Sequence, residues 1–544
     1  MLYTAEEFTP DEQEILRRYF TNLDLPVFAL VNLPEVVKGA LFARYSRSPK
    51  SLRRLFLDEF VGELDIAGDA TIDATVGLKR AEELYDRVFM EYGDDSVAQL
   101  GGVHLACEQA SNVLTKVLEW GRLMAYLEQS TRYIAYDERV EGRYRYYRDP
   151  LIMGSPLGLR YIGDLDRLFD AYAELVPVLG AYFAARYPKQ PGDSDFVHRQ
   201  AIKAKAFDAV RGILPAAAQS NVGIYGTGQA YEQLLLRMRA HPLPEARSYA
   251  DLMLEELRKV IPSFLKRVDL PDRGGAWSAY LETNRKAMQH VAADLLAAAA
   301  AEAAAIAGDG GAQPVTAVDL VDFDPDGEDK LVAAMLYPFS HLPEDALLAH
   351  VRCMSTDDKI AVVRAYAGER GNRRHRPGRA LERVDYRFDV LSDYGAFRDL
   401  QRHRMLTIEW QSLSTRHGYV LPEAVVEAGA RDRFELAMER SARLHDDLYA
   451  TFGDPQAGYG VSLAYRIRYV MQMNARAAMH LVELRSGPQG HPEYRFVAQE
   501  MHRLIRERAG HHAVAELMSF VDYSQPELER LESERRAEAR RQSR

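Results

Sequence analysis

The sequence predicts an α+β chain made of two repeated domains, and three observations carry that expectation. At 544 residues the chain is too long for one ordinary core. The segment 226–250 aligns without a gap on 474–498, pairing Ala230 with Ala478, Leu236-Arg237 with Leu484-Arg485 and Pro244-Glu245 with Pro492-Glu493. Between the copies, an Ala-rich run over 289–307 favours helix, and Gly308-Asp309-Gly310-Gly311 followed by Pro314 stops it.

These signals divide the chain in order. Residues 1–21 read as an N-terminal extension, 22–285 as the first domain, 286–313 as helix and linker, 314–525 as the second domain and 526–544 as a Glu/Arg-rich charged tail. The first domain carries an insertion after Tyr133, in which Arg143-Tyr144-Arg145-Tyr146-Tyr147-Arg148 reads as an exposed strand in preference to a base-stacking surface. The second domain opens on the alternating Val315–Asp322, a strand, followed by a helix from about Glu328 to Leu336. Val384–Val390 is strand-like and Tyr394–Leu400 helical.

Composition narrows the function classes. A net charge of -11 argues against general nucleic-acid binding. No apolar run approaches the roughly 20 residues that span a bilayer, and Met1–Pro10 lacks a basic start, so no membrane association is expected and the location expected is cytoplasmic. Cys107 and Cys353 are far apart without ligand pairing, so both are expected to be small buried apolar residues and no metal site is expected. Asp322–Gly327 begins like a calcium loop, but Ala333 stands where a bidentate Glu is required. His511-His512 reads as surface.

The chemistry concentrates in one run. Arg402-His403-Arg404 is followed, after seven residues, by Ser412; the first copy has Trp120-Gly121-Arg122 and, after the same gap, Ser130-Thr131-Arg132. One copy keeps the cations and the other keeps the Glu128-to-Arg132 turn. Arginine forks suit phosphates, carbonyls and the ring edges of a flavin or pyrimidine. A basic surface segment explains the triplet equally well. Downstream, Asn474, Arg476, His480 and Arg485 place polar groups in an otherwise apolar helix, where they pair either with protein groups or with a bound ring or nucleotide.

With Val210-Arg211-Gly212-Ile213-Leu214-Pro215 in the first copy, this pattern resembles the flavin-dependent thymidylate synthase family, over most of both halves. The resemblance implies two repeated domains, each a mixed β-sheet packed with helices, and the reductive methylation of dUMP to dTMP. FAD is the implied cofactor, with NADPH and methylenetetrahydrofolate as co-substrates. Carried over, Arg402, His403, Arg404, Asn474, Arg476 and His480 would contact FAD. Arg485 would be the catalytic cation on the pyrimidine, favouring ionisation at N3. Glu128, Gln129, Ser130, Thr131, Arg132 and Arg211 would hold the nucleotide, together with Arg402. His375 is either the flavin-side histidine or part of a solvated basic loop. The resemblance further implies a composite active site shared between the repeats, a dead mirror site at Trp120, Gly121, Gly226 and Gly228, and a homodimer. Asp399 departs from the family, which has a glutamine there that touches the nucleotide. The alternative reading is a non-catalytic flavin- or nucleotide-binding paralogue, or an enzyme acting on another pyrimidine nucleotide.

Overall fold

The computed structural model describes residues 4–33, 37–38, 41–42, 45, 48–59, 61, 101–132, 134–307, 316–525 and positions 531, 535 and 539. Tyr133, the whole 308–315 segment and most of the charged tail lie outside the described residues.

Two four-stranded sheets carry the fold. The first contains β1 (Val27–Leu30), β2 (Gly102–Ser111), β3 (Met124–Glu128) and β4 (Gln219–Thr227), in the order β1-β2-β4-β3. The second contains β5 (Ala317–Phe323), β6 (Asp385–Asp393), β7 (Thr407–Trp410) and β8 (Arg466–Asn474), in the order β5-β6-β8-β7. Identical strand order around two separate cores is the structural form of the repeat read in the sequence. Among the described residues every strand pairing is antiparallel, where a mixed sheet was expected.

Helices follow equivalent places in both copies. Ser111 ends β2 and caps the helix Asn112–Leu118; Asp393 ends β6 and caps the helix Tyr394–Leu400. An oxygen-bearing side chain in extended conformation satisfies the first amides, which is why both helices begin there. Thr227 and Asn474 cap the next pair, Gly228–Arg239 and Ala475–Arg485. The helix Pro244–Arg258 packs on β1 and β2, and Pro492–Glu507 on β5 and β6. Each burial removes apolar faces from water: Leu105, Ile224, Tyr249 and Met253 in one core, Phe388, Met471, Val497 and Met501 in the other. A side chain of this kind contributes roughly 1.5–3 kcal/mol when fully buried.

The sheets differ locally. β2 shifts register between Cys107 and Ala110, and Gln109 takes a φ of 58°. The bulge leaves Glu108 inside, where its Oε1 accepts the Tyr45 hydroxyl at 3.0 Å and the Leu52 amide at 2.9 Å. β6 runs through without a shift against β8.

The compact units cut across the sequence halves. Unit 1 comprises Met1–Phe169, Pro215–Ala312 and Arg443–Gly460; unit 2 comprises Asp170–Leu214, Gln313–Ala442 and Val461–Arg544. Each unit therefore includes a segment from the other half of the sequence.

Three local expectations change. Cys353 is exposed, at the C-cap of a short helix, although Cys107 is buried in β2. His511 is buried, not on the surface: its Nδ1 meets the Tyr386 hydroxyl at 2.7 Å, and Nε2 the Asp324 carbonyl at 3.0 Å. Gly510, with φ 71°, turns the chain inward just before it. Residues 143–148 are no exposed strand: Tyr144, Tyr146 and Tyr147 are buried, with Arg139 over Tyr144 and Arg148 over Tyr146. Among the described residues one helix, Gly158–Arg186, passes by length and composition for a membrane span, but Asp170 and Glu174 interrupt its most apolar part, so no uncharged run reaches that length. No group of metal-ligating side chains occurs among the described residues.

Candidate active site

Unit 2 gathers the cation triplet and the downstream helix. The helix Tyr394–Leu400 is anchored by Phe397, which packs on Trp410 and Tyr469, and its C-terminal end delivers Asp399 and then Arg402-His403-Arg404. Cations there also suit the negative end of the helix dipole. The helix Ala475–Arg485 begins at Asn474, whose Oδ1 accepts the Ala477 amide at 2.9 Å, and it ends on Arg485.

At the junction Arg485 Nε donates to His403 Nε2 at 2.9 Å. Nε2 must then carry the lone pair, so the His403 proton sits on Nδ1. Burial, followed by the Arg485 and His480 charges, holds the His403 pKa well below the usual imidazole value. Arg485 Nη1 lies 3.6 Å from Asp399 Oδ1. Burial lowers the Arg485 pKa, Asp399 and Tyr494 oppose that, and the Arg402 charge adds to the lowering. His403 and His480 rings lie 5.5 Å apart. His480 Nδ1 meets Arg376 Nη2 at 3.2 Å, and burial with the Arg376, Arg373 and Arg485 charges brings its pKa to about 4. Both histidines are therefore neutral near pH 7.

Other expected contacts are placed differently. Arg476 donates to the Pro377 carbonyl at 3.1 Å and to Glu382 at 3.0 Å, tying the 371–383 loop to the helix. His375 is exposed in that loop, its Nδ1 accepting the Gly371 amide at 3.2 Å. Arg404 and Ser412 are exposed, and Arg402 is half-buried. Glu483, two residues before Arg485 and so on the opposite face, forms a buried two-pronged bond with Arg370, both contacts at 2.7 Å, which fixes the helix from its other side.

Arg211 also belongs to unit 2, although it comes from the first half of the sequence. It is buried at the end of the helix Asp195–Val210, and its Nη2 makes no hydrogen bond. A Cβ on Gly395 would lie 3.5 Å from that nitrogen, an ordinary contact. Arg211 lines a small pocket with Asp393, Gly395, Leu463 and His491. Burial and the Glu493 charge raise the Asp393 pKa to about 7, opposed by Arg211 and Arg466.

Unit 1 holds the turn. The Glu128 carboxylate is buried 3.2 Å from Lys116, which also binds Glu119 at 2.5 Å. Gln129 donates its side-chain amide to the Ser48 carbonyl at 2.8 Å, Ser130 Oγ accepts the Arg132 amide at 3.3 Å, and Thr131 is buried. At the corner equivalent to the triplet, Arg237 lies over the Trp120 ring at 5.1 Å. A Cβ on Gly121 would meet the Tyr126 hydroxyl at 2.6 Å, so the space a histidine needs is filled.

Sequence reasoning missed Arg376, Lys116 and the buried set of Asp393, Arg466 and Glu493. Asp393 had a readable signal, an Asp just before a helix. Lys116 had none, because a lysine three residues before a glutamate on a helix usually marks a solvated face.

The donor set fits a flavin and a nucleotide. Several guanidinium forks and two neutral imidazoles converge in unit 2, and a buried Arg211 N–H lacks an acceptor.

Comparison with known proteins identifies the family. The family described as thymidylate synthase complementing protein matches residues 44–263 and again 319–510. A UPF0159 protein of Chlamydia pneumoniae is 40% identical over 542 residues, covering 99% of both chains. One from Thermoplasma acidophilum is 30% identical over 525 residues, covering 91% of this chain and 97% of its own. Among solved structures, a UMP/dUMP methylase, PolB from Streptomyces cacaoi bound with 5-Br dUMP, aligns with a TM-score of 0.31 and 18% identity over 39% of this chain and 99% of that one. With two matched regions lying on two sheets of identical order, this chain belongs to the thymidylate synthase complementing protein family, which it carries in two copies.

Proposed function

We propose that this protein is an FAD-dependent thymidylate synthase that methylates dUMP to dTMP with methylenetetrahydrofolate and NADPH, as a homodimer. Family membership supports a nucleotide methyltransferase of this type; the reaction, the cofactors and the assembly are our reading. The observation that carries it is the asymmetry of the two corners. Arg485, His403 and Asp399 form a connected polar cluster in unit 2, and Trp120 and Gly121 replace its counterpart in unit 1.

In this reading Arg402, His403, Arg404 and His480 hold the flavin, with Arg476 and Asn474 shaping the helix start and Arg376 joining them. Bound FAD would supply the reducing equivalents. Arg485 donates to the pyrimidine, and His403, with its proton on Nδ1, orients Arg485 through Nε2. The Arg211 guanidinium supplies an N–H to the nucleotide. The Gln129-to-Arg132 turn adds contacts from the first repeat, which makes the site composite in sequence. Glu128 acts as a positioning residue for that turn, since its carboxylate binds Lys116.

The test is spectroscopic and chemical. The purified chain is mixed with FAD, then anaerobic NADPH, then dUMP with methylenetetrahydrofolate. Flavin bleaching followed by dTMP is the expected outcome; a reducible flavin without dTMP would sink the synthase. Arg132→Ala is expected to weaken dUMP binding without loss of flavin, and unchanged binding would remove the turn from the site. A second reading, a non-catalytic binder, is favoured by one observation: the acid Asp399 beside Arg485.

A further inference from the structure

We infer that Asp399 and Arg485 form a net-neutral donor–acceptor pair that reads the N3–H and adjacent carbonyl of a neutral uracil base, making Asp399 a specificity-determining residue. The inference rests on the function proposed above. It departs from the expectation that Arg485 acts as a lone cation favouring an ionised N3.

The geometry is the argument. Arg485 and Asp399 are each mostly buried, with side-chain exposures of 16% and 19%, so their charges act on one another through little water. At 3.6 Å the two heads are an ion pair but too far apart for a hydrogen bond. They lie side by side, an acceptor oxygen next to a donor nitrogen. Arg485 Nε is fixed by His403 and the head also bonds Tyr494, so the guanidinium plane is set with Nη1 on the side of Asp399. A neutral uracil edge offers the complement: N3–H toward the carboxylate and a carbonyl oxygen toward the guanidinium. An ionised N3 presents a second anion to Asp399, which disfavours it.

The surrounding groups do not change sign in the relevant range. Arg485 is faced by Asp399 on the helix Tyr394–Leu400, by Arg402 and His403 after it, by His480 on its own helix and by Tyr494 on Pro492–Glu507. His403 and His480 are already neutral at pH 7. Asp399 and Arg485 cancel one another at the pair, and Arg402 beside it is a cation that keeps its charge throughout this range. In unit 1 the helix Asn112–Leu118 places Val117 at the equivalent position, so the mirror corner has no such pair.

The test is calorimetric titration of the full chain loaded with FAD, using dUMP, 5-fluoro-dUMP, whose N3 proton is more acidic, and N3-methyl-dUMP. Between about pH 7 and about pH 9, wild-type affinity for 5-fluoro-dUMP is expected to fall at least about tenfold relative to dUMP as its N3 ionises. N3-methyl-dUMP is expected to bind about tenfold or more weakly than dUMP, because a methyl group replaces the proton it would offer the carboxylate. Asp399→Asn removes the charge at nearly constant shape and is expected to reverse the pH trend for 5-fluoro-dUMP. Tighter binding of 5-fluoro-dUMP at the higher pH by the wild-type chain overturns the inference alone, and does so without the variant. No binding of any uracil nucleotide overturns it together with the proposed function.

Discussion

The corners after the second strand of each sheet are built alike and filled differently. In unit 2 the helix Tyr394–Leu400 leads into Arg402-His403-Arg404, and Arg485 returns from the neighbouring helix to meet His403. In unit 1 the helix Asn112–Leu118 leads into Trp120-Gly121-Arg122, and Arg237 returns to lie over Trp120. The same backbone thus offers a polar cluster with exchangeable hydrogen bonds in one copy and a cation stacked on an indole in the other. Strand order and helix placement survive in both copies, so the scaffold is specified by its core and caps, whereas the corner residues are free to change.

Each experiment that follows acts on one corner and is read against the other. The largest difference is expected from Arg485→Ala, which should lower dTMP formation by about a hundredfold to a thousandfold while the flavin spectrum is retained. Arg237→Ala should leave the rate near wild type, and equal losses from the two would break the comparison. Next, Gly121→His should destabilise unit 1 by about 1–3 kcal/mol in denaturant unfolding, because its Cβ meets Tyr126, and should add no activity. A rise in turnover would show that the mirror corner is repairable.

Smaller effects sharpen the comparison at the helix caps. In unit 1 the buried Glu245 accepts the Ser111 amide at 2.9 Å, the Ser111 hydroxyl at 2.7 Å and the Tyr459 hydroxyl at 2.8 Å. Tyr459→Phe should cost about 1 kcal/mol of stability and leave turnover unchanged. Burial raises the Glu245 pKa from 4.5 to about 7. The folded chain thus keeps a proton that the unfolded chain releases, so stability falls as pH rises from about 4.5 to about 7. Asp393 in unit 2 contributes a slope of the same sign. Glu245→Gln should therefore reduce, without abolishing, the fall in unfolding free energy across that window; an unchanged slope would place the titration elsewhere.

Much of the scaffold was legible in the chain, for identifiable reasons. The helix Tyr394–Leu400 and the strands around 317–323 and 385–393 carry their own periodicity and caps, and the structure has them where the sequence puts them. The repeat was legible because Pro492-Glu493 and Leu484-Arg485 recur in order. The wholly antiparallel pairing was not, because strand partners are set by contacts far apart in sequence. His511 has no periodic neighbours to mark it as buried, and Cys353 stands beside apolar residues yet ends a helix facing solvent. Within the candidate site, the proximity of His403 to Arg485 followed from the motif pattern only through resemblance. The Asp399–Arg485 pair and the company of Arg211 required coordinates, since neither leaves a trace in local spacing.

The exchange of segments between the two compact units has a consequence for how the chain is made. Tyr459, which bonds Glu245 in unit 1, lies more than two hundred positions later in the sequence. Contacts of such separation form late and slow the search for the native state. During synthesis the first unit must wait, incomplete, until the ribosome has passed residue 460. Cutting the gene at the linker would therefore release two fragments that each lack a piece of themselves.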